Sequence, residues 1–340
     1  MSKPSSPTRA CVRATSCFGS CQPLPTVETG IAMTALRRAL AALLVVFGSS
    51  CVQAQTLALT FDDGLDPAKE PAAASWNRQI LETLHDAGIT SMVFPTLVRT
   101  GRARGLDLIR DWTHAGHAVG NHTSRHRSLG SPQVPLADFI GDVKEADAVL
   151  SRLPGWTKML RFPYLKEGNT LAKRDGMRLW MQAAGYRAAP VSIDASDWYY
   201  NQVFAAWLDE GNTEKADRVK AAYIGHLLDR AAYYDGLARQ VLGRSPAHVM
   251  LLHTNRINAA ALEEVIAAFR GRGWSFTAAR TAFDDPIYTV QIDTLPAGES
   301  IVWASAKAAR VPGLRYPAED SVYEEPGLLA LGLVPARMLQ

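Results

Sequence analysis

From Leu57 onward the chain alternates short apolar runs with amphipathic stretches. The runs at 56–61, 91–94, 117–120, 159–162, 187–193, 248–252 and 274–277 have the length of buried strands rather than of helices. Between them the apolar positions fall at helical spacing. Leu136, Phe139, Ile140, Val143 and Ala146 make one stripe, and Leu262, Val265, Ile266 and Phe269 make another. Asn258 reads as a helix N-cap, and Gly88 and Gly271 sit where a left-handed residue ends a helix. About seven strand-then-helix units predict an α/β fold with a parallel sheet under helices. An open doubly wound sheet and a closed barrel both satisfy this pattern. No glycine-rich phosphate-binding fingerprint follows the first strand, which removes the commonest reason for the open form.

Two stretches break the alternation. Residues 199–247 insert a mostly helical segment between two strands, with Val219, Tyr223 and Leu227 on one face. Its Tyr199, Tyr200, Trp207, Tyr223, Tyr233 and Tyr234 are expected to pack the added helices, with sugar stacking as the alternative. Residues 284–340 form a tail punctuated by Pro and Gly, with a possible hairpin around Leu295, Pro296, Ala297 and Gly298.

The front of the chain differs from the rest. After Met33 come Arg37 and Arg38, an apolar run from 39 to 48, and small residues leading to Ala54. That order predicts a secretory signal peptide at about 33–54, too short to span a ~30 Å bilayer core. The mature protein is then periplasmic or secreted, with no integral membrane span. Lipid anchoring through Cys51 is the weaker variant, because Gly48 stands where a bulky aliphatic residue is wanted. Residues 1–32 have no hydrophobic period and read as disordered, or as lying before a true start at Met33. The expected division is a leader at 1–54, a catalytic domain at 55–283 interrupted by the 199–247 insertion, and an extension at 284–340.

Charge and cysteine follow that division. The chain has 340 residues and a formal net charge of +3. Five of its 36 basic residues and one of its 33 acidic residues precede position 55, as do all four cysteines. The remainder is almost neutral and free of cysteine, which gives no electrostatic case for nucleic acid and no disulfide to support the fold.

Ionisable side chains gather where the predicted strands end. Asp62 and Asp63 follow the first strand, His122 and His126 the third, Arg161 and Tyr164 the fourth, Asp197 and Trp198 the fifth, and His253 the sixth, after Leu251. In parallel α/β folds that rim is where sites form. Asp-Asp-Gly alone is a common turn, Arg161 alone reads as a surface ion-pair partner, and Trp198 alone reads as core. His85, His114, His117, His226 and His248 read as structural. His122 and His126 at i, i+4 share a helix face, a spacing that Zn²⁺ can bridge. With one carboxylate they supply three ligands and leave a place for water, as in catalytic zinc sites. Adjacent strand residues face opposite ways, so Asp62 and Asp63 are expected to take different roles, one as ligand and one as base. A bound Zn²⁺ brings its water to a pKa of ~7, and His253 could protonate the leaving group.

Thr60-Phe61-Asp62-Asp63-Gly64, His122-Thr123-Ser124-Arg125-His126, Arg161-Phe162-Pro163-Tyr164, Asp197-Trp198 and Leu251-Leu252-His253 resemble, in order, the five motifs of the polysaccharide deacetylases. This is the NodB-homology group, carbohydrate esterase family four. The resemblance runs from about Leu57 to Thr277. It implies a distorted (β/α) barrel of about seven strands that removes acetyl groups from N-acetylated sugars with a divalent metal. It assigns Asp62 as general base, Asp63, His122 and His126 as metal ligands, and Arg161 as the residue that holds Asp62. It makes the backbone N–H of Tyr164 an oxyanion donor, Asp197 the orienter of His253 as general acid, and Trp198 and Leu251 the walls around the acetyl methyl. Asp-His-His suits Zn²⁺ best and admits Co²⁺ or Ni²⁺. The expected partner is an acetylated poly- or oligosaccharide such as chitin oligomers or peptidoglycan. The alternatives are an O-acetyl esterase on xylan or a related polysaccharide, and a non-catalytic carbohydrate-binding protein on the same fold. Leu165-Lys166-Glu167 replaces the glycine turn that often follows the third motif, so a different groove edge is expected there.

Overall fold

Strand β1 (Thr56–Asp63) has six of its eight residues buried, as expected of a strand with one face inside a barrel and the other under helices. The computed structural model describes residues 55–315, 317 and 321–339. The leader and the cysteines fall outside the described residues. β1 pairs in parallel with β2 (Met92–Pro95) on one edge and with β7 (Ala247–His253) on the other. The short β8 (Ser275–Phe276) also pairs with Thr56 and Leu57. Since β7 occupies its own edge along almost all of β1, β8 takes the edge below β2. Outward from β2 come β3 (Ala118–Asn121), β4 (Trp156–Leu160) and β6 (Arg187–Ala188), all parallel.

The sheet then closes. Ala189 N–H donates to the Leu160 carbonyl at 2.8 Å, on the β4 side. Four residues later Ile193 bridges Met250 of β7, with Leu251 N–H donating to the Ile193 carbonyl at 3.1 Å. The segment 187–193 therefore spans the gap between β4 and β7, and the sheet is a distorted (β/α) barrel. The apolar run expected at 187–193 is correct in place, but it splits its pairing between two neighbours.

The helices follow the sequence stripes. They are α1 (Ala73–Asp86), α2 (Leu106–His114), α3 (Leu136–Leu150), α4 (Leu171–Ala184), α5 (Asp197–Asp209), α6 (Thr213–Leu242) and α7 (Arg256–Gly271). α1 ends before Gly88 at φ +69°, as expected. At α7 two expectations fail. Its N-cap is Asn255, whose side chain accepts from Asn258 N–H at 3.0 Å, and Asn258 lies inside the first turn. Its left-handed terminator is Gly273 at φ +82°, not Gly271.

α5 and α6 form the insertion. Tyr199, Tyr200, Tyr223 and Tyr234 are buried, and Trp207 and Tyr233 are half-buried against the same core. These aromatics pack helices, as expected. In the tail, Ala297 and Gly298 form β9, which pairs antiparallel with β5 (Lys166–Gly168) far back in the chain. The local hairpin does not form. Gly298 makes the long-range pairing possible, since a Cβ there would stand 1.9 Å from the Leu165 carbonyl oxygen. α8 (Ala279–Ala282) and α9 (Ile301–Ala308) follow the barrel, and α10 (Ser321–Ala330) sends Glu324 to Arg230 of α6. No helix among the described residues is long and apolar enough to cross a membrane.

Candidate active site

The C-terminal ends of the strands open into a cavity of about 470 Å³ lined by Asp62, Asp63, His122, His126, Tyr164, Trp198, Leu251 and His253. Arg161 lies beneath it and Asp197 behind it, both completely buried. All ten side chains singled out from sequence thus converge on one end of the barrel. Arg161 is a buried clamp rather than a surface ion-pair partner, and Trp198 is a half-buried wall rather than core.

Asp62 and Asp63 both face this cavity, against the strand alternation. Asp63 has φ +80°, so the chain has left the extended conformation and the period-two rule no longer holds there. Gly64 continues the turn at φ +84°, where a Cβ would press on Thr100 Cγ2 at 2.7 Å.

Asp62 is gripped by Arg161, whose Nη1 donates to both carboxylate oxygens at 3.0 and 3.1 Å. The guanidinium is itself fixed by donation to the Ala189 carbonyl at 2.6 Å and to Thr60 Oγ1 at 3.2 Å, and it stacks 4.5 Å over the Phe94 ring. Burial disfavours the charged carboxylate more than Arg161 and His253 favour it, so Asp62 is pushed up to about 6. A carboxylate tuned to that range can take a proton near neutral pH.

His122 and His126 do not share a helix. They sit in the loop after β3, which turns through left-handed residues at Thr123 (φ +68°) and His126 (φ +54°). Asn121 shapes that loop: its Oδ1 accepts from Thr123 N–H at 2.8 Å and its Nδ2 donates to the Val143 carbonyl at 3.0 Å. His122 Nδ1 lies 2.8 Å from the Arg161 carbonyl, which fixes the proton there and leaves Nε2 as the lone pair facing Asp63. His122 Nε2 and His126 Nε2 lie 3.9 and 3.5 Å from Asp63 Oδ1. A tetrahedral ion with bonds of ~2.0–2.2 Å holds its ligand atoms roughly 3.3 Å apart, so small side-chain shifts complete the geometry. Burial lowers both histidines below their usual range, His122 far below, which keeps their lone pairs free. Asp63 Oδ1 is buried without a hydrogen-bond partner, so it is free to act as a ligand atom. Among the described residues this trio is the one cluster of His, Cys, Asp or Glu with metal-ligand spacing. The residues present fit a divalent ion.

Across the cavity His253 Nδ1 meets Asp197 Oδ1 at 2.7 Å. Burial disfavours the imidazolium, but Asp197, by attraction and by hydrogen bond, overrides it with help from Asp63 and Asp62. His253 is raised to about 10, so it carries a proton at neutral pH. Tyr164 has φ +56° and its ring packs 4.7 Å from His126.

Sequence reasoning missed several residues. Asn121, Asn255 and Asn258 build the loops around the histidines and Asp197; each lies within five residues of a motif histidine, which was the available signal. Arg99, whose Nε lies 3.8 Å from Asp63 Oδ2, and Asn201 and Gln202 of α5, which line the cavity, carry no sequence signal.

The chain is similar to several known proteins. Residues 49–188 match the family model described as polysaccharide deacetylase. A Bacillus cereus peptidoglycan-N-acetylglucosamine deacetylase is 27% identical over 143 residues, 42% of this chain and 46% of that protein. The chain therefore aligns with about half the length of that relative. Among solved structures, a chitin deacetylase from Colletotrichum lindemuthianum superposes with a TM-score of 0.48 and 20% identity, over 69% of this chain and 90% of that one. A family 4 carbohydrate esterase from Streptomyces lividans, in complex with acetate, gives a TM-score of 0.45 at 20% identity over 67% and 95%. The matched stretch, residues 49–188, carries Asp62, Asp63, His122, His126, Arg161 and Tyr164, so six of the ten site residues lie in the part of the chain that is similar to the polysaccharide deacetylases.

Proposed function

We propose that this protein is a metal-dependent hydrolase that removes acetyl groups from N-acetylated glycans of the chitin-oligosaccharide or peptidoglycan type. The observation that carries the reading is the juxtaposition, in one cavity, of an unpartnered Asp63 Oδ1 between two neutral histidines with a clamped carboxylate and a charged imidazole. The peptidoglycan-N-acetylglucosamine deacetylase relative supports the substrate class.

Asp63, His122 and His126 would hold the ion, with Zn²⁺ suiting the donor set best and Co²⁺ or Ni²⁺ admitted. When bound, a divalent ion supplies Lewis acidity, making a water more acidic and polarising the acetyl carbonyl. Asp62 takes the proton of the attacking water, and Arg161 keeps its carboxylate oriented. The backbone N–H of Tyr164 donates to the oxyanion as the carbonyl becomes tetrahedral; losing one such donor costs ~10²–10³ in rate. His253, charged and oriented by Asp197, gives its proton to the departing amine, so the C–N bond breaks to a neutral amino sugar and acetic acid, which ionises to acetate, and the proton taken up by Asp62 passes through solvent to restore His253. Trp198 and Leu251 wall the acetyl methyl. In the same proposal residues 1–54 are a cleaved leader and the enzyme acts in the periplasm or outside the cell. Residues 55–283 are its catalytic domain and 284–340 its extension.

The test is acetate release from N-acetylglucosamine oligomers and from acetylated xylan, with and without a chelator. Release from the oligomers that stops on chelation and returns with Zn²⁺ is expected. Asp62→Asn should lower kcat by about 10²–10⁴. Release insensitive to chelator removes the metal reading, and release from xylan alone replaces the substrate class by an O-acetyl ester.

A further inference from the structure

The inserted helix α6 reaches the catalytic centre through a chain of oriented hydrogen bonds. Tyr223, completely buried on α6, donates its hydroxyl to Asn258 Oδ1 at 2.6 Å. Asn258, also completely buried, donates Nδ2 to Asp197 Oδ2 at 2.7 Å and to the His253 carbonyl at 2.8 Å. Asp197 Oδ2 additionally accepts from His253 N–H at 2.7 Å and from Asn255 Nδ2 at 3.1 Å, while Oδ1 takes the His253 ring.

We propose that Asn258 and Tyr223 are positioning residues for the His253 acid, and that the insertion contributes to the reaction by setting the angle of that imidazole. This rests on the reading of His253 as the general acid.

Every link in the chain has a single permitted direction. An ionised carboxylate only accepts, so Asp197 demands N–H groups from its surroundings. Asn258 can supply them only with its amide turned as it is, because the flipped amide would set Oδ1 against Asp197 Oδ2 at 2.7 Å. Asp197 and the His253 carbonyl, which only accept, set that turn, and the Tyr223 hydroxyl completes it: burial keeps the phenol protonated, far above its ordinary range, and its proton goes to the remaining Oδ1. Asn258 thereby binds both the carboxylate that orients the acid and the backbone of the acid itself, five residues earlier. Buried side-chain amides and hydroxyls give little net stability over apolar groups of the same shape. A chain that satisfies both amide N–H groups and the amide oxygen therefore gains more in orientation than in stability. Displacement of a reacting group by about 1 Å can cost ~10² in rate.

The experiment uses the full chain and three variants, Tyr223→Phe, Asn258→Ala and, as a control on the same helix, Tyr233→Phe. Tyr223→Phe keeps the ring and its packing, so it tests the chain without emptying the core. Measured together are kcat and KM for acetate release from N-acetylglucosamine oligomers, the melting temperature, and the NMR resonance of the His253 ring N–H. Tyr223→Phe is expected to lower kcat about 10-fold and Asn258→Ala about 10–100-fold, the range for residues that orient a ligand or catalytic group. KM should change less than twofold, the ring resonance should move in both, and Tyr233→Phe should leave kcat unchanged. Wild-type kcat in Tyr223→Phe, or a fall in melting temperature with an unmoved ring resonance, overturns the proposal. If the wild type releases no acetate, the deacetylase reading fails, and the ring resonance alone decides: a position unchanged in Tyr223→Phe overturns the positioning role.

Discussion

In the proposed mechanism Asp62 and His253 divide the acid–base work, because burial acts on both and their partners differ. Burial raises Asp62 to about 6 in spite of Arg161, and Asp197 raises His253 to about 10 in spite of burial. The base is active above its own value and the acid below its own, so both hold the required proton state between these limits. A cation on Asp63, His122 and His126 adds positive charge beside both, which favours the carboxylate and disfavours the imidazolium. Measured kcat/KM should therefore be bell-shaped, rising at or below pH about 6 and falling below pH about 10. Asp197→Asn removes the strongest force holding the His253 proton, so the alkaline limb should move to lower pH and the acid limb should stay. An alkaline limb unmoved in that variant would place the acid elsewhere. That these residues meet at one rim was legible in sequence, because five strand ends delivered them in order. Their geometry was legible only in part: Asp-Asp-Gly reads as a turn, but not as one that is left-handed at Asp63 itself and so brings both carboxylates to the same cavity.

At the scale of elements, the apolar runs placed the strands of the closed sheet to within three residues, except at the end of β6, because barrel strands are buried on both faces and read as continuous apolar stretches. The loop after β3 shows where such reading stops. An i, i+4 histidine pair looks the same on a helix as in a loop that bends through two left-handed residues, and only the Asn121 contacts decide between them. β9 failed for a related reason, since its partner lies about 130 residues away and nothing local encodes it. The strands support the site through packing as well as position. A Cβ on Gly120 of β3 would stand 2.3 Å from the Phe94 ring, whose face carries the Arg161 guanidinium. Gly120→Ala should push that ring into Arg161 and loosen its grip on Asp62. Overpacking of this kind costs about 1–3 kcal/mol, and kcat should fall at least 10-fold with metal affinity nearly unchanged. Equal losses of metal binding and kcat would instead point to collapse of the whole rim.

At the scale of the molecule, the tail is part of the active-site scaffold, which its Pro- and Gly-punctuated sequence gave no means of seeing. Glu324 of α10 accepts from Ser196 Oγ at 3.0 Å and from Arg230 Nη2 at 2.8 Å, and its other oxygen lies 3.3 Å from His226 Nδ1. His226 Nε2 accepts from Ser196 N–H at 3.2 Å, so its proton sits on Nδ1 and points at Glu324. Burial pushes His226 down to about 4 in spite of that carboxylate, leaving it neutral and fixed in this tautomer. Ser196 immediately precedes Asp197, so one glutamate from near the C-terminus ties down the residue beside the orienter of the acid. Removing one partner of a buried ion pair costs about 3–5 kcal/mol, and each kcal/mol lowers the melting temperature of a domain this size by about 2–4 °C. Glu324→Ala should therefore melt about 10 °C lower. The order of the two losses is informative: kcat should fall at temperatures where the variant is still folded, because Ser196 is released before the barrel is. Glu324→Gln keeps an acceptor for Ser196 and Arg230 and should recover most of kcat while recovering less of the melting temperature. A variant that melts early but turns over normally below its transition would reduce the tail to a stabilising cover.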